Sequence, residues 1–312
     1  MKSFLRYALT ALALAFVSLP SAANATTCSG GTPANNCYWI GGTGTWDNSS
    51  TTHWSFTSGG TTCTCLPSAT TDKATFDASS GGGTVTADST LNNSTFQSIT
   101  MGAFTGTLDF ATSNPNITLT NEFSGTGTGT RTLNLGNGTW TLSGSVATGV
   151  NWDFSVVTNL TFNANSSTIV WGGNGVNGSS IWNGGGKTYN IVTMNSSTGT
   201  PKSFGNTGGT IATLNLNGPA RYIITGNATQ TIGTLNAIGT STGLIQFDDS
   251  AAQAVNLAIT TAATISWASI FHTTFTTTAV TANNSFDMGS NTGITINAPT
   301  GGAGGGSHCI GC

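Results

Sequence analysis

Carboxylates come first among the residues that could do chemistry. Asp248-Asp249 is the only adjacent acidic pair in the chain, and it follows the apolar run 244–247. Glycoside hydrolysis needs two carboxyl groups flanking the scissile bond, one protonated and one ionised. A β-elimination lyase needs a base, with a cation to hold the developing negative charge. Beyond residue 25 the cations are Lys73, Lys187, Lys202, Arg131 and Arg221, scattered along the chain, and Glu122 is the only glutamate. The sequence therefore predicts that Asp248 and Asp249 are solvated turn residues, and no catalytic residue is assigned. His53 beside Trp54, and His272 within 271–278, have no Gly-x-Ser-x-Gly elbow or cysteine partner near them. They read as surface or packing residues. The stretch Asp287-Met288-Gly289-Ser290-Asn291 is oxygen-rich in a way calcium could use, but it lacks the acidic density of a dedicated site. No metal and no cofactor are expected.

Six cysteines, an even number, favour disulfides in an exported chain. Cys28 and Cys37 would close a short loop, and Cys309 and Cys312 another. Cys63-Thr64-Cys65 is tight for an internal bond and is expected to supply two different partners. The rival reading is a zinc site from Cys63, Cys65, His308, Cys309 and Cys312, which would require the two ends of the chain to meet. Trp140, Trp152, Trp171, Trp182 and Trp267, with Tyr189 and Tyr222, have two possible roles. Turned inward they are core; turned outward they would be platforms for sugar rings. Core is the expectation for most of them.

Export rests on the first 25 residues. Lys2 and Arg6 precede an apolar run at 7–17, which is shorter than the roughly 20 residues a membrane span needs. Pro20 and the Ala23-Asn24-Ala25 cleavage pattern complete a secretory signal peptide, so the mature chain is expected to start near Thr26. The expected location is extracellular or at the cell surface, with the periplasm as the other compartment this allows. No transmembrane segment is expected after cleavage. Loss of Lys2 and Arg6 leaves five bases against ten acids, and charged residues are 5% of the chain against about 25% in ordinary globular proteins. Nucleic acid, which demands a basic face, is excluded as a partner. In place of charge stand 60 Thr, 30 Asn and 43 Gly. Partners of such a surface would be glycans, a cell surface or copies of the chain itself.

The elements that must carry these residues are strands. Apolar residues alternate with Thr and Asn, as in Asn116-Ile117-Thr118-Leu119-Thr120 and Arg131-Thr132-Leu133-Asn134-Leu135, which is the period of a half-buried strand. A Thr-Leu-Asn core recurs at Thr132, Thr213 and Thr234. Short strands repeating without a strict period predict an all-β fold, a parallel β-helix (β-solenoid) over 78–300. The alternative is a β-sandwich or jelly roll. Residues 26–77 hold Cys28, Cys37, Cys63, Cys65, His53, Trp39, Trp46 and Trp54, and read as an N-terminal cap over the first coil. Residues 301–312 read as a flexible Gly-rich tail with a Cys pair.

The cap contains Tyr38-Trp39-Ile40-Gly41-Gly42-Thr43-Gly44-Thr45-Trp46, then Trp54-Ser55, Pro67 and Asp72-Lys73-Ala74-Thr75-Phe76. This resembles the W-x-G-G-x-G-x-W … W-S … P … D-x-A-x-F motif that opens autotransporter-passenger-like and β-strand-repeat bacterial surface proteins, with related sequences also encoded by phages. The stretch 285–294 is similar to them as well. The resemblance implies a parallel β-helix exposed to the medium with an adhesive or display role. A complete autotransporter ends in a membrane barrel of roughly ten-residue strands; the end 301–312 departs from that pattern. The expected function is thus a non-catalytic structural or adhesive surface protein. The alternatives are a phage virion or receptor-binding component, and a polysaccharide lyase or hydrolase built on a β-helix.

Overall fold

The computed structural model describes residues 26–143, 150–172, 180–195, 202–205, 208–225, 228–249 and 254–300. The expected signal peptide (1–25) and the tail (301–312) lie outside the described residues. No helix among the described residues is long and apolar enough to cross a membrane.

The chain winds as a parallel β-solenoid. Twenty-one strands form one sheet and five a second. Each coil visits three faces in turn. Thr107–Asp109 lies on the first face, and the long strand Ile117–Ser124 bends to serve the second and third. The next coil repeats the order with Arg131–Asn134, Thr139–Leu142 and Val150–Asp153. Paired residues one coil apart are separated by as few as 14 residues near the end of the solenoid, Val280 to Ile294, and as many as 41 at its start, Gly44 to Val85. Strand pairing is parallel throughout, apart from an isolated bridge and the cap pairing of Asn36–Trp39 with Trp54–Ser55. The sandwich alternative is thereby excluded, because sandwiches and jelly rolls pair their strands antiparallel.

Period-2 alternation decides what points where. Ile117 and Leu119 are buried while Thr118 between them is half-exposed. In register one coil on, Trp140 and Leu142 are buried on either side of Thr141, and then Ile169 and Trp171 on either side of Val170. Stacked coils thus build continuous inward columns, and each fully buried large apolar side chain contributes about 1.5–3 kcal/mol. Two of the three Thr-Leu-Asn segments stack directly: Thr213, Leu214 and Asn215 pair with Thr234, Leu235 and Asn236. The third, Thr132 to Asn134, belongs to a different face. Corners rely on backbone closeness. A Cβ on Gly138 would fall 2.1 Å from the Pro115 carbonyl oxygen of the preceding coil. Asparagine side chains close the same corners, Asn114 and Asn116 accepting from the backbone N–H of Asn137 and Thr139.

Candidate functional site: the outward ladders

The cap residues are structural. Trp39, Trp46 and Trp54 are fully buried. The His53 ring stacks on Trp39, centroids 4.7 Å apart and planes 10° from parallel. This explains the glycines of the motif: a Cβ on Gly44 would lie 2.6 Å from His53 Nε2, and Gly41 and Gly42 take positive φ to turn the chain so that Trp39 Nε1 donates to the Gly42 carbonyl at 2.9 Å. Asp72 is buried and accepts from the backbone N–H of Cys28, Ser68 and Ala69, tying the chain start to the first coil. Cys28 pairs with Cys37 across nine residues. Cys63 and Cys65 pair with each other, which corrects the expectation of two different partners; the chain doubles back at Thr64 and brings their Cα atoms to 5.1 Å. That bond also removes both thiolates from the proposed zinc set, whose other members, His308, Cys309 and Cys312, lie outside the described residues.

The acidic pair is not solvated turn chain. Strand Ile245–Asp249 continues through both aspartates, which corrects the sequence-based reading. Arg221 Nε donates to Asp248 Oδ2 at 2.8 Å, and Asp249 Oδ2 lies 2.6 Å from His272 Nδ1. In the 287–291 loop, Asp287 Oδ1 accepts from the Gly289 N–H and from Asn291 Nδ2, so this oxygen is committed to holding the turn.

A second charged group was invisible in the sequence. Lys73, Ser98 and Glu122 stand in register on the third face, with Ser98 buried between the two half-exposed charged residues, and Asp153 pairs in register with Ser124, two residues beyond Glu122. Burial pushes the Glu122 carboxyl up, Asp153 pushes it further, and Lys73 opposes both. Neither the apolar void enclosed by Phe204, Leu214, Tyr222 and Phe247 nor the depression beside Asn283 and Ile296 involves these groups or Asp248.

Tryptophan platforms for sugar rings are not presented. Trp140, Trp152, Trp171 and Trp182 are buried, as are Tyr189 and Tyr222, while Trp267 is half-buried at a corner. The polar tips also turn inward: Trp152 Nε1 donates to Tyr189 Oη at 3.1 Å, which itself donates to the Gly184 carbonyl at 2.9 Å. No family model, curated protein or solved structure matches the chain.

What the coils do present is ordered hydroxyl and amide groups. On the first face Thr84, Thr107, Thr132 and Thr161 stand in register on four consecutive strands. Thr188, Thr210 and Thr231 form a matching run on the coils that follow, then Ala258 and Thr276. The two runs join where Phe162 packs on Tyr189, ring centroids 4.9 Å apart, and Lys187 Nζ reaches the Leu160 carbonyl at 2.9 Å. Beside the threonines runs an amide ladder: Asn163 Nδ2 donates to Asn134 Oδ1, and Asn134 Nδ2 to Asp109 Oδ1, at 2.8 and 3.0 Å. The second face carries another, Asn236 to Asn215 to Thr193. Sequence inspection finds the Thr and Asn but not their alignment, because coil length varies.

Proposed function

We propose that this chain is exported and acts outside the cell as a non-catalytic structural or adhesive β-solenoid whose uncharged ladders make its contacts. The observation that carries this reading is the separation of side-chain types. In-register Thr and Asn face outward on two faces, while seven of the eight tryptophans are buried in the core. Steering by charge is weak at such a surface, since charged residues are 5% of the chain and cations such as Arg221 and Lys187 are engaged, with Asp248 and with a carbonyl. The fold and the opening motif keep the resemblance to passenger-like surface proteins consistent with this role. The test is a whole-cell and glycan-array binding assay at low and high salt. Contacts of this kind lose little affinity across that range, because they are not screened over a Debye length of about 8 Å as ion pairs are. Binding that collapses with salt refutes the uncharged-surface reading.

A second reading has one observation in its favour. Glu122, with its raised proton affinity beside Asp153 and Lys73, has the electronic character of a general acid paired with a carboxylate. Polysaccharide turnover that is lost in Glu122→Gln would replace the non-catalytic reading with a glycan-cleaving one.

A further inference from the structure

We propose that the threonine column of the first face is an ice-binding surface. The inference stands on the register of that column and does not depend on where the protein is displayed.

Composition does not produce the column. Threonine is 60 of 312 residues, about one in five, yet it fills all four positions of the in-register run from Thr84 to Thr161 and four of the five in the run from Thr188 to Thr276, where the fifth is the buried Ala258. Parallel pairing fixes the rung spacing at about 4.8 Å. That repeat is close to the distance between second-neighbour, lattice-equivalent oxygens in a layer of hexagonal ice, whose hydrogen-bonded neighbours lie much closer. Threonine's branched Cβ restricts its rotamers, so each rung offers one methyl and one hydroxyl with little freedom to lose.

The surroundings favour a water lattice over other ligands. The cations next to the column are withdrawn from it, and the Asp109 carboxylate, two residues beyond Thr107, is engaged by Asn134 Nδ2, the Thr112 hydroxyl and the Ala111 N–H. Arg131, adjacent to Thr132, is buried and donates to the carbonyls of Gly129 and Thr158, and Lys187, adjacent to Thr188, donates to the Leu160 carbonyl. A dissolved sugar would exchange water hydrogen bonds for threonine ones at small net gain. It would also find no aromatic ring among the described outward residues of this column. A rigid periodic ligand is different: its contacts add rung by rung, and neither partner has to be reorganised.

The experiment is microscopy of single ice crystals in solutions of the full chain, with thermal hysteresis as the readout. Faceted crystals and a measurable freezing gap are expected. Thr161→Tyr, on an exposed rung, should cut the hysteresis at least about fivefold, since a ring there lifts the lattice off neighbouring rungs. Thr188→Lys should act alike, and Val170→Tyr, at a half-exposed position on the second face outside both ladders, should leave hysteresis intact. Circular dichroism and melting midpoints confirm that each variant is folded, and the two column variants serve as checks on each other. Round crystals in wild-type solutions, as in buffer, overturn the proposal. So does full hysteresis in both column variants, or equal loss in Val170→Tyr. Adsorption to crystalline chitin or cellulose without any effect on ice also overturns it, and would assign the column to a polysaccharide instead.

Discussion

Asp249 Oδ2 lies 2.6 Å from His272 Nδ1, across 23 residues of chain. The carboxylate stands opposite Ile224, in a column whose other members face the core, and its side chain is only 8% exposed against 26% for the imidazole. Removing one partner of such a pair leaves the other poorly solvated, whereas replacing the acid by an apolar residue restores the column. His272→Ala is therefore expected to destabilise by about 1–3 kcal/mol. Asp249→Val should cost less. Urea unfolding of the two variants at neutral pH checks the order, and the reverse order contradicts the packing argument.

This pair also shows where sequence reading stops. Alternation at Ile117-Thr118-Leu119 is a local signal, so strands, their buried sides and the solenoid were legible. Alignment between coils is not local. Asp249 meets His272 after 23 residues, but Asn163 meets Asn134 after 29 and Asn236 meets Asn215 after 21. With no fixed period, neither the threonine column nor the grouping of Lys73, Glu122 and Asp153 can be counted out along the chain. The packing of Trp39, Trp46 and Trp54 into one buried cluster was legible because these aromatics lie close together in sequence. The Cys63–Cys65 bond was not, since it depends on a reversal at one residue.

Glu122 gives a pH dependence with a definite sign. Its folded-state proton affinity is raised, by burial first and by Asp153 second. The native state thus holds this proton more tightly than the unfolded chain does. Its contribution is fully present below the unfolded value near 4.5 and is lost as pH rises through the raised folded value. Glu122→Gln should therefore gain stability over wild type at neutral pH, and the difference should shrink toward about pH 4. Lys73→Met removes the opposing cation and should steepen the wild-type loss. Denaturant midpoints across that range provide the measurement; a variant less stable at neutral pH than at acid pH, relative to wild type, contradicts the sign.

Arg131 is 1% exposed, and its guanidinium donates to the carbonyls of Gly129, Thr158, Gly125 and Val156. Burial lowers its proton affinity, yet the guanidinium spans four carbonyls at that corner between two coils, of which only Val156 also accepts from a backbone N–H, that of Gly127, among the described bonds. Arg131→Met keeps the volume and strands the acceptors, so a loss of about 3–5 kcal/mol is expected. Arg131→Lys keeps a charge with fewer donors and should fall between. A cost below about 1 kcal/mol for the methionine variant would mean that water replaces the guanidinium without penalty.

The cap should open before the body. Its stability draws on the Cys28–Cys37 and Cys63–Cys65 bonds, the Asp72 carboxylate holding the Cys28 N–H, and the stack of His53 on Trp39. Closing a short loop is worth up to about 3 kcal/mol in the chain-entropy account. The inner coils are instead held by ladders on both sides, so a break at one end does not release them together. Reduction should therefore raise amide hydrogen exchange within 26–77 while the second-face strands from Thr139–Leu142 onward stay protected. Gly44→Ala offers an independent route to the same state, because its Cβ would fall within 3 Å of three His53 ring atoms and push the imidazole off Trp39. The two treatments should give the same pattern of exchange. If exchange rises equally along the whole chain in either case, the cap and the coils form one cooperative unit, and the end-first account fails.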